Sequence, residues 1–548
     1  MKPWLLCIVP ALIMIGCKNQ ESSHSSLTVF RYNESAGISS LDPAFARNQA
    51  NIWAVNQVYN NLVQFDSALN IEPCIAHDWQ ISSDGLHYRF FLRQDVFFHD
   101  DAAFEGGKGR KLTASDVVYS LKRLMNPRLA SPGAWVMNPV AQIVNEPAIQ
   151  APNDSVVDIY LKSSFPPFLG MLGMKYCAIV SQEAVEYYKE DFRSHPVGTG
   201  PFVFNTWKEG VKLVLLRNPR YFEKSQQGEQ LPFLDAIAVS FIIDKQTAFL
   251  EFVKGNLDFM SGIDASYKDE LLTSSGKLNP KYNDRINFSS RPYLNTEYLG
   301  FMSDTSSILL KNNPLSDVRI RKAINMGFDR KKMIRYLRNG IGKPGEQGII
   351  PAGMPGYAAN AGFGYHFNPD EARKLLTQAG FPSGKGLPSI TLSTNASYLD
   401  LCQFIQSELS HLGIDLKIDV SPPGTLRENI AQGRVAFFRG SWIADYPDAE
   451  NYLSLFLSSN KSPVGPNYTR FQDKSFDKLY HQALSANDIK QRTSYYRQMD
   501  SLMMEQSPVV VLYYDQVLRF TSKSITGLGS NPLNLLNLKT VKKVESAR

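Results

Sequence analysis

The sequence predicts an α/β protein of at least two lobes. Two observations support this: the length of the chain and the different secondary-structure patterns of its two halves. The chain has 548 residues, more than one hydrophobic core normally serves. Strand-like alternation prevails up to about residue 290, whereas helices and strands alternate over residues 291–510. A strand–helix–strand unit of this length usually pairs its strands in parallel, so we expect an α/β lobe there.

The N-terminal half contains three stretches with the two-residue period of a half-buried strand, at residues 86–93, 156–162 and 211–218. One clear helix interrupts them. Residues 112–125 place apolar side chains on one face, and Thr113 stands where an N-cap is expected.

The second half carries start and stop signals for its elements. A helix is expected between Asn368 and Gly380 because Asn is a favoured N-cap, Pro369 suits the first turn and glycine ends helices. A strand (389–393), a helix (398–413), an alternating strand (414–420) and a further strand (434–438) follow.

The first residues indicate export. Lys2 precedes an apolar run too short to span a bilayer but typical of a signal peptide, which we assign to residues 1–16. The run ends in "MIGC", which resembles a bacterial lipobox and predicts lipidation of Cys17. Residues 17–27 then form a polar tether. An ordinary signal peptide with an incidental Cys17 is the alternative.

The composition excludes several classes of protein. With 43% hydrophobic and 20% charged residues, the chain is neither disordered nor, after its first residues, membrane-spanning. The formal net charge is +6. The most basic stretch, residues 318–340, interleaves its charges with apolar residues, which predicts an amphipathic helix with a solvated face and no nucleic-acid partner.

Motifs of catalysis and cofactor binding are absent from the sequence. There is no H-x-x-x-H or H-E-x-x-H pair, no G-x-S-x-G elbow, and neither a phosphate-binding nor a dinucleotide-binding glycine loop. We therefore expect no metal, no cofactor and no enzyme activity.

One cluster of carboxylates, in "SWIADYPDAENYL" (441–453), poses the main functional question. A helix is expected from Ala449, so Asp448 suits its N-cap and Glu450 its first turn. Asp445 has no such local role and follows the strand at 434–438. In open α/β sheets ligands bind beyond the carboxyl ends of strands, so Asp445 is a candidate binding residue. An acid/base pair of Asp445 and Asp448 stays open.

Over almost its whole length the sequence resembles solute-binding proteins of family 5, the extracytoplasmic receptors of peptide ABC importers. The resemblance is carried in order by residues 40–66, 73–100 with "LTASDVVYSLKR", 198–222, 294–302, 313–324 and 441–453. The loop at 103–110 is longer than the turn usual in the family.

This resemblance implies a two-lobed clamp of the type II periplasmic-binding class, with mixed sheets, helices on both faces and an enlarged N-terminal lobe. Lobe I is expected to comprise residues 28–290, with an inserted subdomain at about 65–195, and a C-terminal return at 511–548. Lobe II is expected to comprise residues 291–510. Ligand is expected to be enclosed between the lobes.

The resemblance also implies the site residues. In oligopeptide-binding members the aspartate of the W-x-A-D-Y motif pairs with the α-ammonium group of the ligand, a role that carries over to Asp445. The remaining candidates surround it or face it from lobe I. They are Ser441, Trp442, Ile443, Ala444, Tyr446, Asn48, Gln49, Ala50, Asn295 and Tyr298. For Trp442, Tyr446, Asn295 and Tyr298 a role in packing is the alternative.

The expected function is peptide capture by a monomeric lipoprotein, held at a membrane through Cys17 outside the cytoplasm and delivering ligand to ABC permease subunits. Other solutes of the same fold, namely a nickel chelate, haem, an opine or an oligosaccharide, are alternatives. So are a hydrolase using Asp445, and a peptide-binding lipoprotein that signals or chaperones without a transporter.

Overall fold

The computed structural model describes residues 27–143, 146–360, 362–486 and 488–544. The expected signal peptide, Cys17 and nearly all of the tether lie outside these residues. The α-helices are α1 (Gln49–Val58), α2 (Ala114–Leu124), α3 (Phe168–Met171), α4 (Gln182–Tyr188), α5 (Lys245–Val253), α6 (Lys268–Leu271), α7 (Val318–Met326), α8 (Arg330–Leu337), α9 (Pro369–Gln378), α10 (Leu399–Ser410), α11 (Pro423–Ala431), α12 (Glu450–Leu453), α13 (Lys474–Ser485) and α14 (Ile489–Gln506).

The strands form one large sheet and several small ones. They are β1 (Val29–Asn33), β2 (Val63–Phe65), β3 (Ile71–Pro73), β4 (Ala76–Ile81), β5 (His87–Leu92), β6 (Gln142–Ile143), β7 (Glu146–Pro147), β8 (Ile149–Asn153), β9 (Val156–Tyr160), β10 (Phe202–Lys208), β11 (Lys212–Arg217), β12 (Ala236–Ser240), β13 (Phe259–Ser261), β14 (Ile286–Phe301), β15 (Lys343–Pro344), β16 (Ile390–Thr394), β17 (Leu416–Val420), β18 (Phe437–Ile443), β19 (Val509–Ser522), β20 (Ile525–Thr526) and β21 (Lys542–Lys543).

Two long strands connect the lobes. In the described part of the chain the large sheet has the order β10-β11-β12-β1-β13-β19-β14-β18-β16-β17, and β15 pairs with β19. Strands β14 and β19 are antiparallel from Ile286↔Ser522 to Gly300↔Val509. One end of β19 pairs with β13 in lobe I, and the other half of β14 pairs with β18 in lobe II. The boundaries expected near residues 290 and 510 therefore fall inside continuous strands.

Lobe I carries extra layers beside its part of the large sheet. A separate sheet of order β4-β5-β9-β8 lies within residues 65–195. The C-terminal segment packs on α1, where the Trp53 indole donates to the Asn534 carbonyl at 2.7 Å and the Gln57 amide donates to the Leu536 carbonyl at 2.7 Å. The chain thus returns to lobe I after β19.

Most predicted elements are confirmed. Helix α2 begins as expected, because the Asp116 carboxylate accepts from the Thr113 backbone N–H at 2.8 Å. At α9 the Asn368 side chain accepts from the Glu371 N–H at 3.1 Å. Strands β16 and β17 are parallel, as the strand–helix–strand pattern predicted.

Three predictions about elements are wrong in detail. The strand expected at 434–438 is β18, which runs to Ile443. The helix expected from Ala449 is the four-residue α12, with Ala449 and not Asp448 at its N-cap. The basic stretch 318–340 forms two helices, and Arg321 and Arg330 are buried. Their guanidinium groups donate to backbone carbonyls of lobe II. Of the other basic residues, Arg319, Lys331, Lys332 and Arg335 are exposed and form the expected solvated face.

Candidate functional site

A pocket of about 290 Å³ lies where the two lobes face each other. Its lobe I wall comes from the start of α1, from the segment after α3 and from the C-terminal return. Its lobe II wall comes from β14 and from the residues that follow β18. The lining residues are Ala46–Gln49, Ile52, Trp53, Phe65, Gly173–Tyr176, Leu533, Leu535, Tyr293 and Ile443–Asp445.

Asp445 is the anionic group of this pocket. Strand β18 ends at Ile443, and the Ala444 N–H then donates to the Leu294 carbonyl at 2.8 Å, which leaves Asp445 beyond the sheet. The residue is exposed to water and has no ion pair within the described part of the chain. The protein walls around it still remove enough water to raise the pKa of Asp445 to about 6. A hydrogen bond from the Asn451 side chain acts in the opposite direction. A cation entering the pocket would therefore find a carboxylate that has no ion pair among the described residues.

Asn451 holds the Asp445 loop in place. Its side-chain oxygen accepts from the Trp442 indole at 2.8 Å and from the Asp445 N–H at 3.3 Å. This amide links the end of β18 to α12 and fixes the backbone on both sides of the loop. Asn451 was not among the predicted site residues, because nothing in its spacing distinguishes it from other polar helix residues.

The other two carboxylates of the cluster are structural, and they do more than start a helix. Glu450 is buried and accepts hydrogen bonds from the hydroxyls of Tyr446 and Tyr480. Burial raises the pKa of Glu450 to about 7. Asp448 accepts from the Glu450 N–H at 3.0 Å and from the Tyr496 hydroxyl at 2.7 Å. Because its carboxylate points into this network, it forms no acid/base pair with Asp445.

The facing wall begins at α1. The Asn48 side chain caps this helix by accepting from the Asn51 N–H at 2.9 Å, while Gln49 is exposed to the pocket. Ala50 is buried and does not line it. Arg47 is exposed and has no ion pair within the described residues. Lobe I therefore presents an unpaired cation across the pocket from Asp445.

Tyr176 lines the same pocket as the two charges. Burial, and next the charge of Asp445, raise the pKa of Tyr176 to about 12, while Arg47 acts in the opposite direction. The hydroxyl therefore lies within electrostatic reach of both groups. Neither Tyr176 nor Lys175 beside it was predicted, because the segment that carries them shows no motif and reaches the pocket only through the fold.

The pocket unites five of the predicted site residues: Asn48, Gln49, Ile443, Ala444 and Asp445. The other predicted site residues lie around the pocket and do not line it. Asn295 and Tyr298 are buried in lobe II, where the Asn295 amide donates to Glu297 at 3.2 Å. Ser441 and Trp442 pair with Glu297 and Thr296 of β14. These positions support the loop and do not face the pocket.

Tyr446 fastens the Asp445 loop to lobe I. It is buried, and it packs among the core residues of that lobe with its ring 6.4 Å from the ring of Trp135. It thus contributes a contact between the lobes beside the pocket, where the sequence predicted contact with ligand.

The end of β18 also offers backbone groups. Over residues 439–443 it pairs with β14 on one edge, while β16 contacts β18 only at Ser393↔Phe438. Within the described residues, its second edge beyond Arg439 has no strand partner. Such an edge can add an extended chain through main-chain hydrogen bonds.

Two further features bear on function. Among the residues that the structure describes, no cluster of His, Cys, Asp and Glu side chains could hold a metal ion. In the same part of the chain, no helix combines the length and the apolar character that crossing a bilayer requires.

Known proteins are similar to this chain in sequence and in architecture. The chain is 29% identical over 494 residues to the probable di/tripeptide-binding protein 5 of Pseudomonas aeruginosa, covering 86% of this chain and 87% of the relative. It is 25% identical over 562 residues to heme-binding protein A of Haemophilus influenzae, covering 97% of each. The structure of the ABC transporter-associated periplasmic binding protein DppA from Helicobacter pylori, in complex with the peptide STSA, matches with a TM-score of 0.74 at 26% identity over 94% of this chain and 98% of that chain.

These likenesses confirm the predicted two-lobed α/β clamp of the type II periplasmic-binding class. The model of the family described as "Bacterial extracellular solute-binding proteins, family 5 Middle" matches residues 70–463, well over half of the chain. The protein therefore belongs to family 5 of the bacterial extracellular solute-binding proteins.

Proposed function

We propose that this protein captures short peptides in the pocket between its lobes and delivers them to the permease subunits of an ABC importer. The observation that carries the proposal is the unpaired carboxylate of Asp445, which lies in a pocket built by both lobes. A peptide supplies the α-ammonium group that such a carboxylate binds.

The rest of the pocket suits a peptide chain. The open edge of β18 can accept an extended backbone, which gives affinity without recognition of side chains. Apolar lining residues such as Phe65, Ile52 and Tyr293 can cover side chains of different kinds. The names of two similar proteins, a probable di/tripeptide-binding protein and a structure solved with the peptide STSA, agree with this assignment.

Binding without catalysis is part of the proposal. A hydrolase would need a second group placed to act with Asp445, and the nearest carboxylate in sequence, Asp448, is hydrogen-bonded inside lobe II. We further propose that the protein is a monomer. Its lipidated Cys17 would anchor it to a membrane, outside the cytoplasm, as the "MIGC" motif predicts.

The experiment is identification of the ligand. Mass spectrometry of molecules released by denaturing the purified protein should detect short peptides. Refolded, ligand-free protein should then bind a tripeptide such as Ala-Ala-Ala in a calorimetric titration. Binding of haemin, an opine or an oligosaccharide, with no binding of any peptide, would contradict the proposal.

A further inference from the structure

A second, polar pocket opens behind the lobe I wall of the ligand pocket. It has a volume of about 40 Å³. Four residues, Phe65, Gly173, Lys175 and Leu535, line both it and the ligand pocket, so the two share a wall. We call it the side pocket. Six amide side chains surround it, namely Asn56, Asn60, Asn61, Gln64, Asn531 and Asn537.

Lys175 places a positive charge in this wall. The side chain is buried, and its ammonium group donates to the uncharged Asn61 side-chain oxygen at 3.1 Å. Within the described residues it has no ion pair, so two of its three donors have no assigned acceptor. A buried ammonium without a counter-ion is costly. Desolvation accordingly lowers the pKa of Lys175 to about 8.

Glu223, the carboxylate that acts electrostatically on Lys175, is already paired with another lysine. Glu223 binds the ammonium group of Lys539, which also donates to the Gln64 side chain at 2.9 Å. Lys539 is therefore neutralised, whereas Lys175 is not. Glu223 acts on Lys175 only from a distance, and no carboxylate of the described residues forms an ion pair with this ammonium group.

The charges on the two walls indicate which charges a complementary ligand would carry. Lobe II presents one unpaired anion, Asp445, while lobe I presents two unpaired cations, Arg47 and Lys175. The α-ammonium group of a peptide can pair with Asp445. Its α-carboxylate and one acidic side chain would balance the two cations.

We infer that the protein selects short peptides that carry a glutamate or aspartate side chain, and that Lys175 receives this side-chain carboxylate in the side pocket. The inference rests on the proposed function. A volume of 40 Å³ holds about three water-sized groups, which is the size of a carboxylate. Asn56, Asn60, Asn61 and Gln64 already donate to other groups. The side-chain amides of Asn531 and Asn537, which also line the side pocket, can donate further hydrogen bonds to the same oxygens.

The test compares peptides that differ only in charge. Tripeptides with a single Glu at the first, second or third position, the matching Gln peptides, and Ala-Ala-Ala are titrated into ligand-free protein by calorimetry. At one position at least, the Glu peptide should bind about tenfold more tightly than its Gln counterpart, the effect of one charge-assisted contact. Lys175→Met should reduce this ratio to near one.

Control variants test whether the preference for Glu over Gln peptides depends on Lys175. Lys212→Met removes an exposed charge of β11 and should leave the ratio unchanged. Arg47→Met should weaken Glu and Gln peptides alike. Thermal melting without ligand checks that each variant is folded, and the comparison of Glu with Gln in the native protein does not depend on any variant.

Two outcomes overturn the inference alone: equal affinity of the native protein for Glu and Gln peptides at every position, or a preference for Glu that Lys175→Met retains. If Ala-Ala-Ala binds in either case, the proposed function stands. If none of the peptides binds, the proposed function fails and this inference fails with it.

Discussion

Peptide affinity should depend on pH through Asp445. The pKa of this carboxyl in the unliganded pocket is about 6, because the surrounding walls desolvate its charged form. A free α-ammonium group pairs with the ionised form only. The attraction between Asp445 and the ammonium group is therefore present above about pH 6 and is lost as the pH falls through this value.

The magnitude follows from the ionised fraction. At pH 7 about nine-tenths of Asp445 is ionised, and at pH 5 about one-tenth, so affinity should fall about tenfold between these values. Above pH 8 affinity should fall again, because the α-amino group of a peptide has a pKa of about 7.7–8.0. The profile should therefore be bell-shaped, with its maximum near pH 7.

Calorimetric titration of Ala-Ala-Ala from pH 5 to pH 9 measures this profile. Asp445→Asn should bind weakly and lose the acidic limb, which is the necessary control because Glu450 and Asp500 also have pKa values near 7. An N-acetylated peptide should show neither limb. A tenfold fall toward pH 5 that persists in Asp445→Asn would refute the assignment to this residue.

Two further predictions concern the core and the N-terminus. In the native protein Glu450 keeps its proton up to about pH 7 although its unfolded pKa is near 4.5, so the free energy of unfolding should decline by up to about 3 kcal/mol as the pH rises through this window. Glu450→Gln lacks this decline. Urea unfolding should therefore show that the free energy of unfolding of the variant, relative to that of the native protein, is higher at pH 8 than at pH 5. The same relative value at both pH values would contradict the reasoning. Cys17→Ser removes the sulfur that lipidation requires, so the variant should leave the membrane fraction, and unaltered partitioning into detergent would refute the lipobox.

Local patterns were sufficient to predict most elements and to single out Asp445 as a candidate binding residue. Capping residues and periodicity predicted α2, α9 and the parallel pair β16–β17, because these signals act within a few residues of the chain. Asp445 was identified because no local role accounts for it. Elements with buried polar groups were harder to predict. Arg330 looked solvated, yet its guanidinium group donates to the Val511 carbonyl, which only the fold brings near.

The part of the pocket wall formed by Lys175 and Tyr176 could not be predicted from the sequence for the same reason. Lys175 and Asp445 are far apart in the chain, and no local pattern relates them. Tyr446 looked like a ligand contact beside Asp445, but its ring packs into the core of the other lobe. Such roles depend on how the lobes face each other, which is a property of the whole sheet.

The central claim is that Asp445 pairs with the α-ammonium group of a peptide. A double-mutant cycle at pH 7 tests it directly: native protein and Asp445→Asn are each titrated with a free tripeptide and its N-acetylated form, and Glu428→Gln, an exposed carboxylate of α11 in lobe II, is the control. We predict a coupling free energy of about 2–5 kcal/mol for Asp445 and none for Glu428. A coupling energy near zero for Asp445, with the free peptide still binding tightly, would contradict it.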